Sequence, residues 1–450
     1  MSKLRSRLGI LAPAVALAMS GCAGNTSVPS LAQGTTAQSA AQNVAAQGLT
    51  GKAPMAQAML SKTARPDAPA ESVLYSFGST SNDGYYPDSG LALDSSGNYY
   101  GTTEYGGVNG YGTVFKLSPS SNGYSETVIY SFGVYDYSYY STEGVIVDSS
   151  GAVYGMTQSG GGSSCNCGTV FKLTPGPSGY TESILHTFQG GSDGANPQGQ
   201  LAIDGNGNLY GVTSGGGLSS DGTAFELSPS GSTYSYKQLY AFQGSPNDGS
   251  YPSAGLLVTS NGTLFGTTNS GGKRNQGTVV ELSPNGSGVY AESVVYSFNG
   301  PKKDLSDPSA PLISDPAGNL YGTTNFGGAK YYGGVFRLTP SGDSYKEAVI
   351  YSFKGGKKDG RYPTNGVSID ASGNLYGTSN EGGLKTAGLV YELSPTGSKD
   401  YKETVLIDFA DAFGGGYPEG GVIIGPDGAL YGTTSQGGAN RDGVAFKIVI

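Results

Sequence analysis

The tetrad Tyr100-Gly101-Thr102-Thr103 recurs, with at most one letter changed, at Tyr154, Tyr210, Phe265, Tyr321, Tyr376 and Tyr431. The intervals are 54, 56, 55, 56, 55 and 55 residues. A period this regular means one structural unit repeated seven times, and a unit of this size cannot bury its apolar faces without neighbours. Each unit holds four strand-like runs. In the first these are 71–77 (ESVLYSF), 90–94 (GLALD), 98–103 (NYYGTT) and 112–117 (GTVFKL), rich in β-branched and aromatic residues and bounded by Gly, Pro, Asn or Asp. The link between the second and third runs always ends in Gly (97, 151, 207, 262, 318, 373 and 428), supplying the positive φ of a tight hairpin turn. Asp opens that turn at 94, 148, 204, 315 and 370, where a carboxylate bonding the turn amides is a simpler account than a repeated calcium site.

Four antiparallel strands per unit and seven units predict an all-β, seven-bladed β-propeller. Coils of a β-helix are shorter, and the strand chemistry excludes a helical solenoid. Lettering strands from the axis outward, GLALD is A, NYYGTT is B, GTVFKL is C and ESVLYSF is D. The chain then begins with a lone D strand, 71–77, and ends with A, B and C at 421–425, 429–434 and 443–450. Strand 71–77 is therefore expected to complete the last blade, which closes the ring and leaves no open terminal edge.

The first 21 residues read as an export signal. Lys3, Arg5 and Arg7 precede an apolar stretch, Leu8 to Met19, too short to span a bilayer. Met19-Ser20-Gly21-Cys22 resembles the lipobox of bacterial lipoproteins, with Met where Leu is usual. That resemblance implies cleavage before Cys22, acylation of its thiol, and a membrane partner through the lipid. Ala23, rather than Asp, follows the cysteine, so the outer membrane or cell surface is the expected location. Residues 22–70 read as a tether: 23–70 contain no aromatic residue and are dominated by Ala, Gln, Ser, Thr and Gly. As a random coil it would span roughly 40 Å. The propeller occupies 71–450.

The ordered series LYGTT, a Gly-Gly doublet, GTVF-x-LSP and VLYSF resembles the GloVer tandem repeat, found in bacterial surface proteins that carry varied anchors. The resemblance covers about 71–450. It implies a surface location and lends no activity, substrate or catalytic residue. Kelch repeats also carry a Gly-Gly doublet, but the chain has no Trp.

The D–A and B–C loops share one face of a propeller and are the longer loops here. Four D–A loops carry Asp-Gly-x-x-Pro, starting at Asp83, Asp193, Asp248 and Asp359. Tyr precedes the proline at Tyr86, Tyr251, Tyr362 and Tyr417, which either packs the loops or offers a ring of aromatic faces to sugars. Loops of the first three units carry Asp83, Glu104, Asp136, Glu143, Asp193 and Asp221 but no Lys or Arg. Later loops carry Lys273, Arg274, Lys302, Lys303, Lys330, Lys354, Lys357, Lys358, Arg361, Lys385 and Arg441. That asymmetry is either drift on a solvated surface or a docking site for an anionic polymer, with Lys357, Lys358 and Arg361 its core. A net charge of −9 argues against nucleic acid.

No catalytic set stands out. The one histidine, His186, sits in a D strand at the register of Tyr75, Tyr130 and Tyr296, as a structural substitute away from the ligand face. No His/Cys spacing fits zinc, and no cofactor or metal is implied. Cys165 and Cys167 form a pair once Cys22 is acylated, and an oxidising envelope favours a disulfide between them. The leading expectation is a monomeric surface module for glycan or protein ligands. An extracellular polysaccharide lyase or hydrolase and a purely structural envelope protein are the alternatives.

Overall fold

The computed structural model describes residues 69–121, 123–133, 138–139, 144–162, 164–286, 290–300, 304–342, 344–363, 365–397, 400–410 and 414–450. Export signal, Cys22 and tether lie outside them. Seven small antiparallel sheets form a ring, a seven-bladed β-propeller. Blade 1 runs A to D as Ala92–Leu93, Tyr99–Thr103, Thr113–Ser120 and Gly123–Ser131. Blades 2 to 6 span 145–187, 195–241, 249–297, 313–352 and 368–408 in the same order. Blade 7 takes Ile423–Ile424, Leu430–Thr434 and Val444–Val449 from the end of the chain and Ala70–Ser76 from its start. Ala70 pairs with Val449 and Ser76 with Val444, so the expected closure is the observed one. Strand A pairs over only two or three residues in blades 1, 2, 4, 5, 6 and 7, whereas in blade 3 it extends over Ala195–Ile203.

Every letter of the repeated tetrad has a separate physical task. The tyrosine hydroxyl donates to the turn aspartate, as from Tyr100 to Asp94 (3.0 Å) and Tyr376 to Asp370 (3.1 Å). Blade 4 confirms the pairing by losing both members: Phe265 replaces the tyrosine, and Thr259 opens the turn. The glycine leaves room for the aromatic ring of strand C, since a Cβ on Gly101 would stand 2.5 Å from Phe115 Cζ. The first threonine reaches the next blade, as when Thr433 donates to the Ser89 carbonyl (2.8 Å). The second pairs with a strand C threonine, Thr103 with Thr113 at 2.8 Å.

Cores lie between blades rather than within them. Seven apolar clusters each draw on two neighbouring blades. Six of these junctions centre on an edge-to-face aromatic pair from strand D of one blade and strand C of the next. Examples are Phe77–Phe115 at 4.9 Å and Phe298–Phe336 at 5.1 Å. Strands B are buried along their whole length by this sandwiching, whereas strands D alternate. Each outer strand carries a bulge, at Leu74, Ile129, Leu185, Leu239, Val295, Ile350 or Leu406. Bulges twist an edge away from flat pairing and blunt it against aggregation.

The tetrad glycine is the most exposed to test. Gly101→Ala forces Cβ into the Phe115 ring and is expected to cost about 2–4 kcal/mol. Gly205→Ala, which meets no atom within 4 Å, should change stability by less than about 0.5 kcal/mol. Urea unfolding of both variants checks the contrast.

Candidate functional site

The loop face is built by three repeated devices. In the first, the D–A loop pairs with the B–C loop of its own blade in a short ladder, such as Gly84–Tyr85 with Tyr105–Gly106 and Gly360–Arg361 with Glu381–Gly382. The Gly-Gly doublet permits this approach, because a Cβ on Gly106 would lie 2.3 Å from the Asp83 carbonyl.

The second device is a buckle made by the Asp of Asp-Gly. Asp83 accepts from the Tyr75 hydroxyl (2.7 Å) and the Ser79 amide (2.8 Å). Asp248, Asp304 and Asp359 repeat it with Tyr240, Tyr296 and Tyr351 and with the amides of Gln243, Asn299 and Lys354. His186 fills the tyrosine position at one junction, its Nε2 3.1 Å from Asp193, and stacks on Tyr236 at 4.1 Å. It is a structural substitute, as its register suggests. It nonetheless stands at the base of a D–A loop, since strand D ends on the loop face.

The third device is a latch between blades. The residue before the proline turns to positive φ and gives its amide to the preceding blade's B–C loop. Tyr86 donates to Asp442, Tyr251 to Asp221, Tyr362 to Tyr332 and Tyr417 to Ala387, at 2.7–3.0 Å. The proline then lies on a glycine, as Pro87 does on Gly443, where a Cβ would be 2.6 Å from Cδ. Asn196 and Asp307 adopt the same conformation in their blades, so the latch needs the backbone and not a phenol.

The four tyrosines therefore share a structural position but not surroundings. Tyr251 is 45% exposed. Tyr417 packs on the core between blades 6 and 7. Tyr86 clusters with Tyr85 and Tyr105, centroids 5.6 and 6.0 Å away. Tyr362 meets Phe326 at 5.7 Å and Tyr332 at 5.8 Å. Over Tyr362 and Tyr332 lies the Arg361 guanidinium, 5.8 and 6.0 Å from their centroids, held by Glu381 at 2.7 Å. Phe326 and Tyr331 are 49% and 41% exposed, so this cluster between blades 5 and 6 presents aromatic surface to solvent. Phe326, Tyr332 and Glu381 did not stand out in the sequence. The ladder register would have found Glu381 and Phe326, because the residue after Asp-Gly faces the one before Gly-Gly.

The split between an acidic and a basic half of this face is weaker than the order of charges along the chain suggests. Asp83 is 4% exposed and Asp193 is held by His186, so much of the acidic set serves the loops themselves. Lys273, Arg274, Lys330, Lys354, Lys357, Lys358, Lys385 and Arg441 are exposed. Arg361 is half-buried and ion-paired, unlike Lys357 and Lys358. Asp136, Glu143, Lys302 and Lys303 lie outside the described residues. At the inner rim between blades 7 and 1, burial and the facing Glu104 carboxyl push Glu419 up to about 7, against a hydrogen bond from Ser435. Burial also raises Glu104. Cys165 and Cys167 are joined (S–S 2.09 Å) in the B–C loop of blade 2, against Gly190 of the neighbouring D–A loop. Among the described residues, no three His, Cys, Asp or Glu side chains are grouped to hold a metal ion.

A closed ring of seven near-identical blades defines a repeat-built β-propeller. The sequence profile of the Gloeobacter/Verrucomicrobia repeat matches residues 63–190, 141–300 and 290–450, and the chain belongs to that family. No curated protein matches it by sequence. Among solved structures it is similar to a proposed 6-phosphogluconolactonase of Bacteroides uniformis, with 13% identity and a TM-score of 0.50 over 74% of this chain and 88% of that one. It is also similar to a proposed glucose dehydrogenase-type oxidoreductase of Thermus thermophilus, with 14% identity and a TM-score of 0.43 over 85% and 100%. Trypanosoma rangeli sialidase gives 11% identity and 0.38 over 74% and 57%. At such identities the likeness concerns the fold alone.

If the buckle fixes the loop face, Asp248→Ala strands the Tyr240 hydroxyl and two amides, those of Gln243 and Gly249. The expected loss is about 2–4 kcal/mol, read by urea unfolding. A loss under about 0.5 kcal/mol would show that the loop does not depend on it.

Proposed function

We propose that the chain is an exported lipoprotein, anchored through Cys22 at the outer membrane or cell surface, whose loop face binds acidic glycan chains. The observation that carries the ligand reading is the cluster between blades 5 and 6. Phe326, Tyr332 and Tyr362 offer flat apolar faces suited to the C–H face of a sugar ring. Arg361, oriented by Glu381 and both tyrosines, keeps 30% of its side chain exposed. It supplies a preorganised donor for a hydroxyl or carboxylate. The exposed Lys330, Lys354, Lys357 and Lys358 belong to the same two loops and would draw a polyanion by long-range attraction. Tyr362 holds φ at 57°, costly for a bulky side chain at a position where Asn196 and Asp307 serve the latch more easily. Keeping tyrosine there is explained if its ring is used.

Replacing Lys357, Lys358 and Arg361 by Gln should weaken binding to acidic glycans at least tenfold at low salt and flatten its salt dependence. Unchanged binding on a glycan array overturns the assignment. Glu104 and Glu419 favour a second reading, hydrolysis or lyase chemistry at the inner rim, because a carboxyl protonated near neutrality can serve as a general acid. New reducing or unsaturated ends in the bound glycans, abolished by Glu419→Gln, would establish it. Binding without new ends would exclude it for those glycans.

A further inference from the structure

The buckles have a second carboxyl beside them. Strand D of the following blade places Glu126 against Asp83, Glu292 against Asp248, Glu347 against Asp304 and Glu403 against Asp359. In all four, Glu Oε1 is buried with no partner among donors, and Oδ1 of Asp83 and Asp359 is in the same state. At those two junctions two neighbouring oxygens that each need a hydrogen are satisfied together by one proton; at the other two the aspartate Oδ1 already accepts from the Gly249 or Leu305 amide, and the proton serves the glutamate. We propose that these blade junctions are proton locks, in which the glutamic acid O–H donates to the aspartate that pins the D–A loop. The bond formed is O–H···O⁻, with one proton and one negative charge shared by two carboxyl groups.

The blade 2–3 junction supports this from within the chain. Tyr236 replaces the glutamate there, and His186 replaces the tyrosine that faces the aspartate. Two positions have changed together, as expected if they share one polar task. In the loops beside Glu71 and Glu182, residues 411–413, 134–137 and 140–143 lie outside the described residues.

Few other ionisable groups face the locks. Tyr75 joins Glu126 and Asp83, with Asp442 beyond Asp83. Tyr240 joins Glu292 and Asp248, with Asp221 beyond Asp248. Tyr296 joins Glu347 and Asp304. Tyr351, Tyr391 and Lys354 face Glu403 and Asp359. Lys354 is the single cation among them, and it is exposed. Burial first, and the aspartate charge second, push Glu126 up to about 8 and Glu292, Glu347 and Glu403 up to about 7. These folded values lie above the ordinary 4.5. The stabilisation is therefore complete below that value and lost as pH rises through 7 to 8. Above that range two carboxylates face each other in each seam.

Asp359 also pins the segment from Lys354 to Tyr362, so opening this lock frees the residues assigned to glycan binding. That consequence rests on the loop-face reading; the lock does not. Thermal unfolding at pH 5.5 and 8.5 tests the lock without any ligand. The wild type should lose about 5 °C of Tm at the higher pH. In the variant E126Q/E292Q/E347Q/E403Q an amide donates the same hydrogen at every pH, and the loss should fall below about 2 °C. A wild-type Tm that does not fall, or a variant that falls equally, overturns the proposal. Should the fourfold variant not fold, E403Q alone serves, read by hydrogen exchange of amides 354–362. Their protection should drop at least tenfold from pH 5.5 to 8.5 in the wild type and hold in the variant; equal drops overturn the lock.

Discussion

Everything in this molecule depends on an aromatic ring lying on a glycine. Phe115 covers Gly101 of its own blade and receives the edge of Phe77 from the blade before it, and the arrangement recurs in every blade but the fourth, where Leu256 and Val280 stand at Gly266. No blade has a core of its own, since each apolar cluster is completed by a neighbour. A terminal blade would thus expose the same surface that the interior blades bury. Ring closure by Ala70–Ser76 removes that problem, and cooperativity follows from it: losing one junction exposes the faces of two blades.

How far the sequence could be read follows from this. Periodicity set the blade count, and the position of the lone first strand set the closure, because both depend on local strand chemistry repeated many times. The tetrad was recognised as a signature, but the tasks of its letters were not visible. Gly101 is explained only by a ring ten or more residues away, and Thr433 by a carbonyl of Ser89 at the other end of the chain. The tyrosine before each proline carried two readings. They part by position: the backbone latch is common to six junctions, whereas the surroundings of each ring differ. Glu381 escaped notice because its importance comes from a two-residue ladder that brings it opposite Arg361.

The charge pattern shows why counts along a chain mislead. The Asp residues in the early loops looked like an acidic half-face, yet Asp83 is buried and receives a tyrosine hydroxyl and an amide. The same buckle occurs in the later blades, where Asp304 and Asp359 had been outnumbered by lysines in the same loops. Aspartate is thus a feature of the scaffold at the five junctions whose buckles are described, in early and late blades alike. A binding preference built on variation therefore belongs with the lysines, and Asp83 and Asp193 need no ligand to account for them.

Scaffold and loop face are finally one structure. The loop that carries Lys357, Lys358, Arg361 and Tyr362 is held at one end by Asp359 on Tyr351 and at the other by the Tyr362 amide on the Tyr332 carbonyl. A loop tied at both ends within a few residues keeps its side chains in place before any ligand arrives, which lowers the ordering cost of binding. The tie that fixes Tyr362 also imposes its positive φ, so rigidity and backbone strain have the same source. A surface made this way gains its specificity from which side chains the latched positions happen to carry. The six described copies of one backbone device can then present six different chemical faces, and the blade 5–6 junction is where aromatic, cationic and hydrogen-bonding groups coincide.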